Sequence, residues 1–134
     1  MKVLMNCTGM NIELRPFTDM MPKCLLSIKT KSILFHNLEW LQKYDIDEAE
    51  NGLDGLKKFI NNDYDVVLCD IKMPKMDGID FLDKAMEQGK ETQFIMISAH
   101  GSIDTAVNAT KKGAFDFISK PPDLNRLLVS VRNA

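Results

Sequence analysis

Tyr64-Asp65-Val66-Val67-Leu68-Cys69-Asp70-Ile71-Lys72-Met73-Pro74-Lys75-Met76-Asp77-Gly78 is the stretch whose reading decides the fold. Its apolar run, residues 66–69, does not alternate with polar residues. Such a run reads as a strand buried on both faces, the pattern of a parallel sheet. The run delivers a carboxylate, Asp70, to its end, and a Met-Pro turn and an Asp-Gly follow at once. In open parallel sheets the chemistry sits beyond the carboxyl ends of the strands, so Asp70 stands where a site belongs.

Elements on either side repeat the pattern. Lys2–Asn6 reads as a short strand and residues 45–48 as another. Between them, the polar, Pro-containing residues 7–31 read as an extended loop. Residues 32–43 read as a helix, with Leu34, Leu38 and Leu41 at helical spacing and Ser32 as N-cap. Leu53, Leu56 and Ile60 mark a helix that Asn61-Asn62-Asp63 ends. Residues 78–88 form a helix with Ile79, Leu82 and Met86 on one face, and residues 94–98 a second unalternated strand. Ile103, Ala106, Val107 and Thr110 make a helix that stops at Gly113, a C-cap glycine. Residues 115–118 are the last strand. Pro121-Pro122 opens a final helix whose Leu124, Leu127, Leu128 and Val131 face inward. Strands alternating with helices predict βαβ units around a parallel sheet covered on both faces. The expectation is one doubly wound α/β domain of five strands and five helices.

Composition narrows the class. The 134 residues are 45% hydrophobic and 27% charged, ordinary values for a globular domain with a real core. A net charge of −2 gives no electrostatic footprint for nucleic acid or an anionic membrane surface. Cys7, Cys24 and Cys69 form no CxxC pair and leave one over, which favours a reduced, cytoplasmic protein over a disulfide framework or zinc site. No apolar run approaches the roughly 18 residues of a membrane span. The opening Met-Lys-Val-Leu-Met-Asn-Cys is too short for a signal sequence.

Three polar groups end three successive predicted strands: Asp70, Ser98 and Lys120. A carboxylate, a hydroxyl and an ammonium together suit a phosphoryl group, the carboxylate as nucleophile and the other two stabilising its oxygens. Taken singly, an Asp after a strand is most often a turn former or helix cap, and a lone Ser or Lys there carries even less. It is the coincidence of all three in this periodicity that points to a site.

From about Asp47 onward the sequence resembles the receiver domain of bacterial two-component response regulators, most of all those attached to enhancer-binding transcription activators. The matching residues are Ala49-Glu50-Asn51-Gly52, Asp70-Ile71-Lys72-Met73-Pro74 with Met76-Asp77-Gly78, Ile97-Ser98-Ala99-His100-Gly101, and Gly113-Ala114-Phe115-Asp116-Phe117-Ile118 with Lys120-Pro121-Pro122. The resemblance implies a flavodoxin-like sheet of strand order 2-1-3-4-5. It implies that Asp70 is the phosphoacceptor, charged by a histidine kinase, and that Ser98 and Lys120 bind the phosphoryl oxygens. Phe117 matches an aromatic rotamer switch. The face of the fourth helix, last strand and last helix is implied as an output or homodimer surface.

The same resemblance implies a magnesium ion held by Asp70, the backbone carbonyl of Lys72 and two acidic residues at the end of the first strand. This chain has Asn6-Cys7-Thr8 there. Asn6 offers an amide oxygen without charge and Cys7 is a poor magnesium ligand, while Glu13 and Asp19 lie further on. Phosphorylation is therefore expected to be impaired.

Residues 1–46 instead resemble the amino-terminal segment of sugar-phosphate nucleotidyltransferases. The match runs through Gly9-Met10, Leu14-Arg15-Pro16-Phe17-Thr18-Asp19, Pro22-Lys23, Leu25-Leu26, Ile28 and Leu38-Glu39-Trp40-Leu41. It implies a nucleotide-cradling loop with Arg15 and Lys23 near the phosphates. Asn11, Ile12, Glu13 and Cys24 depart from that pattern: a side chain at Asn11 hinders close backbone approach, and Glu13 puts negative charge where a triphosphate sits. The catalytic remainder of that family has no room here, so no enzyme activity is expected. Two signatures meeting near Ile46-Asp47 suggest a joined, chimeric sequence within one domain. His36 and His100 read as ordinary surface or packing residues.

Overall fold

A computed structural model describes residues 1–6, 45–99, 101–120 and 122–134. Five short strands carry the fold: β1 (Lys2–Asn6), β2 (Asp45–Ala49), β3 (Val66–Asp70), β4 (Gln93–Ser98) and β5 (Asp116–Ser119). All pair in parallel in the order β2-β1-β3-β4-β5, the flavodoxin-like order expected. Four helices accompany them among the described residues: α1 (Gly52–Asn61), α2 (Gly78–Met86), α3 (Ile103–Lys111) and α4 (Leu124–Asn133). The long loop and the helix expected at residues 7–31 and 32–43 lie outside the described residues.

Every residue of β3 is buried, as its unbroken apolar run requires of a central strand. Alternation then splits the core in two. Leu4, Val67, Cys69, Phe94 and Met96 face α1 and α2, where Phe59, Phe81 and Leu82 meet them. Val3, Met5, Val66, Leu68, Ile95 and Ile118 face the opposite way, toward Leu127 and Val131 of α4. Phe59, Phe81 and Phe94 form a triangle with ring centroids 5.4 to 6.0 Å apart; Phe81 meets both others in the favoured edge-to-face arrangement, and Phe59 and Phe94 are tilted at 60°.

Helix starts follow the local chemistry. Asn51, Asp77, Ser102 and Asp123 are the N-caps of α1 to α4, and each side chain accepts from the backbone N–H three residues on. The last helix therefore begins after Asp123 rather than at the prolines, because a capping carboxylate sets its first turn. Gly113 follows α3 with φ 104, the left-handed conformation expected of a terminating glycine.

Several periodic residues mark helices without facing inward. Leu53 and Ile60 of α1 are exposed, and Gly52, Gly55 and Phe59 are the buried ones. On α3, Ile103 is 83% exposed and only Ala109 is buried. Short helices lying on a sheet need one residue per turn inside, and small ones let the backbone approach closely.

At the amino ends of the strands, opposite the predicted site, polar ties close the sheet. Tyr64 donates its hydroxyl to Asp47 at 2.7 Å, and Thr92 donates to the Tyr64 carbonyl at 2.7 Å. Burial, then the bond to Asp47, pushes the phenol far above its usual range, so it remains a donor. Lys90 caps the end of α1: its ammonium donates to the carbonyls of Phe59, Ile60 and Asn62 at 2.8, 3.2 and 2.8 Å. It also lies 5.3 Å from the Phe59 ring centroid. Lys90→Met keeps the stem and removes the donors, and is expected to cost about 1–2 kcal/mol. Urea unfolding checks this; an unchanged midpoint would show that water replaces the ammonium at no cost.

Candidate functional site

Asp70 is the last residue of β3, 3% exposed. Its Oδ2 accepts from Lys120 Nζ at 2.5 Å and its Oδ1 from the Lys72 backbone N–H at 3.2 Å. Lys120 follows directly on β5 and reaches across fifty residues of sequence to make this ion pair. The Lys120 backbone N–H donates in turn to the carbonyl of Ser98 at 2.7 Å. Ser98, buried at the end of β4, pairs in register with Ser119. The three residues singled out from strand ends are thus on one edge of one sheet, with Lys120 bonded to both of the others.

The turn after Asp70 is shaped by backbone packing. Ile71 N–H donates to the Ile97 carbonyl at 2.9 Å, and Gly78 N–H donates back to the Ile71 carbonyl at 2.8 Å. A methyl group on Gly78 would overlap the Asp70 carbonyl oxygen and stand 2.9 Å from Ile71 Cα. Glycine is therefore required here for close approach, not for an unusual φ. Lys75, at the tip, does hold a positive φ of 67. The Asp-Gly pair in the sequence signalled a turn but not this contact.

Phe117 is half-buried on the α1–α2 side of the sheet, its ring beside Gly101, where an added methyl would come within 3.0 Å of Cε1. Its backbone is clamped. Its N–H donates to Asp116 Oδ1 at 2.7 Å and its carbonyl accepts from Arg126 of α4 at 3.1 Å. Ser130 of α4 donates to the other Asp116 oxygen. Sequence reasoning found Phe117 but not this tie to the last helix, since an Arg and a Ser on a helix face carry no signal of their partner.

Asn6 is placed differently from Asp70. It continues the face of Leu4, is fully buried, and lies against Gly55 of α1; Asp70 continues the opposite face, that of Val66 and Leu68. Among the described residues, neither polar atom of the Asn6 side chain has a hydrogen-bond partner. A buried, unpaired amide is destabilising. Asn6→Val removes both orphan atoms within a similar volume and suits a strand. The expected result is a gain of about 1–2 kcal/mol in unfolding free energy, read as a higher urea midpoint. A loss of stability would refute the assignment of Asn6 as unsatisfied.

Among the described residues no three His, Cys, Asp or Glu side chains cluster, and Asp70 already accepts from Lys120 and Lys72. Cys69, next in the chain, has its thiol pushed well up, first by burial and then by the Asp70 charge, so it is inert as a ligand or nucleophile. Cys7, Glu13 and Asp19, and the nucleotide-loop candidates Arg15 and Lys23, lie outside the described residues.

The fold is matched by known proteins. The family model described as the response regulator receiver domain matches residues 30–132, and so takes in residues 30–46, for which the sequence had suggested a nucleotidyltransferase-like origin. The chain is 39% identical over 90 residues to the regulatory protein LuxO of Vibrio cholerae, covering 67% of this chain but 20% of that protein. It is 44% identical over 87 residues to the chemotaxis protein CheY of Listeria monocytogenes, covering 65% of this chain and 73% of that one. Among solved structures, the CheX–CheY–BeF3–Mg2+ complex from Borrelia burgdorferi superposes with a TM-score of 0.74 at 30% identity. That superposition covers 98% of this chain and 87% of the other. The chain thus spans about a fifth of some relatives and most of others. It belongs to the response regulator receiver domain family of two-component signalling.

Proposed function

We propose that this chain is a phosphoacceptor module in which Asp70 takes a phosphoryl group from a histidine kinase, with its metal site impaired. The observation that carries the reading is the buried Asp70 carboxylate with Lys120 Nζ 2.5 Å from Oδ2. One Asp70 oxygen attacks phosphorus, the donor's leaving group departs, and an acyl phosphate remains. The Lys120 ammonium, freed from the carboxylate, pairs with the phosphoryl oxygens, and the Ser98 hydroxyl donates to them. Phe117, its backbone tied to α4 through Arg126, reports the change to the face of α3, β5 and α4. That face presents Ile103, Val107 and Val129 to solvent, suiting it to an output partner or a second copy. Magnesium ordinarily neutralises the approach of donor and carboxylate in this family; Asn6-Cys7-Thr8 supply no carboxylate for it.

The test is incubation with acetyl phosphate, or with beryllofluoride, at millimolar magnesium. Slow, substoichiometric mass gain that Asp70→Asn abolishes is the expected result. Because Asn6 lies against Gly55 on the face away from Asp70, the acidic pair is restored at the next two positions: Cys7→Asp with Thr8→Asp is expected to raise the rate. Absence of any Asp70-dependent response would sink phosphoacceptance as an activity.

A second reading starts from the Asn6 amide, which has no hydrogen-bond partner among the described residues where β1 meets α1. Residues 1–46 then derive from a nucleotidyltransferase-like segment joined to a receiver. Nucleoside triphosphate binding that is lost in Lys23→Ala supports retained nucleotide recognition; no binding leaves that segment without its ancestral role.

A further inference from the structure

Asn51-Gly52 is the only Asn-Gly dipeptide in the sequence. It is also the joint at which α1 begins. Glycine on the carboxyl side of asparagine gives a spontaneous reaction its least hindered nucleophile. The Gly52 backbone nitrogen attacks Asn51 Cγ, the side-chain amide leaves as ammonia, and a five-membered cyclic imide forms. Water then opens the imide at either carbonyl, leaving aspartate or the β-linked isoaspartate.

The fold opposes the first step in two independent ways. Asn51 Oδ1 accepts from Asp54 N–H at 3.0 Å, which turns the side chain toward the helix, with the Asn51 backbone extended at φ −161 and ψ 172. Ring closure must rotate the Gly52 nitrogen toward Cγ and so break this cap. Gly52 is also wedged against the β3–α2 turn. A methyl there would overlap the Met76 carbonyl oxygen and stand 2.8 Å from Met76 Cβ, so its peptide has little room to rotate. Met76 itself is 9% exposed and its N–H donates to the Pro74 carbonyl at 2.8 Å.

We propose that Asn51 is a spontaneous deamidation site gated by opening of the first turn of α1, and that its isoaspartyl product dislodges the β3–α2 turn. The aspartyl product keeps an N-cap oxygen and a normal backbone, so it is nearly silent. The isoaspartyl product inserts an extra backbone carbon between Asn51 Cα and the Gly52 nitrogen, and so shifts a residue that sits tightly against Met76. It displaces Gly52 from Met76, and through residues 76–78 it reaches the turn that packs on the Asp70 carbonyl. The modification is a one-way loss of the site's geometry, with no enzyme required.

The whole chain is aged in mildly alkaline buffer, folded and in denaturant, and the fragment containing Asn51 is resolved by chromatography and mass into amide, aspartyl and isoaspartyl forms. The folded protein is expected to react at least about tenfold more slowly, by the factor that amide hydrogen exchange gives for protection of Asp54 N–H. Equal rates in the two states, or no reaction even in denaturant, overturns the gate. Asp54→Pro removes the N–H that holds Asn51 Oδ1 at a first-turn position where proline is tolerated, and is expected to bring the folded rate toward the unfolded one; should that variant not fold, the match to Asp54 exchange in the unaltered chain decides. In the separated isoaspartyl form, amide shifts of Met76 and Gly78 are expected to move, while Asn51→Asp leaves them in place. Unmoved shifts in the isoaspartyl form refute the link to the turn.

Discussion

Gly78→Ala is expected to unfold the turn beneath the phosphoacceptor at a cost of about 2–3 kcal/mol. The new methyl would overlap the Asp70 carbonyl oxygen, at the buried end of β3, and press on Ile71 Cα in the turn that follows. Neither can yield without opening the Gly78 N–H bond to the Ile71 carbonyl, 2.8 Å long. Alanine's better helix propensity returns roughly 1 kcal/mol, less than the overlap takes away. Because the displaced atom belongs to Asp70, acetyl phosphate labelling is expected to fall with stability, and the Lys72 amide signal to shift. Urea unfolding measures the first effect and mass spectrometry the second. A variant as stable as the parent would show that the turn relaxes freely.

Phe81→Ala is expected to be the more damaging to the fold, at about 3–5 kcal/mol. Phe81 is a fully buried corner of the aromatic triangle, 6.0 Å from Phe59 and 5.4 Å from Phe94 by ring centroids. Truncation removes apolar area and two edge-to-face contacts and leaves a cavity between α1, α2 and β4 that rigid strands cannot close. Phe81→Leu keeps most of the volume and is expected to cost less than half as much. Denaturant midpoints at constant slope test the pair; equal losses for both would mean that ring geometry, not volume, dominates.

Much of the site was legible in the chain because parallel sheets bring strand ends together whatever the sequence distance. Asp70, Ser98 and Lys120 followed from that rule, and Lys120 does meet Asp70. Asn6 was legible only as a missing carboxylate. Its burial against Gly55, on the face away from Asp70, depends on strand parity and on α1, which sits some fifty residues downstream. The helix faces were the weakest reading. Leu53, Ile60, Ile103 and Val107 carry the periodicity yet stand exposed, because burial there is decided by which neighbour covers each helix.

By itself the sequence determined the strand-helix alternation, the central strand, and the carboxylate at its end. Hydrophobic periodicity and turn chemistry are local properties, written in neighbouring residues. Only the tertiary structure decided that Gly78 must lack a side chain, that Lys90 closes α1, and that Arg126 and Ser130 grip the backbone of Phe117. Each of these depends on atoms far apart in the chain brought within a few ångströms, and a one-dimensional pattern holds no record of such distances.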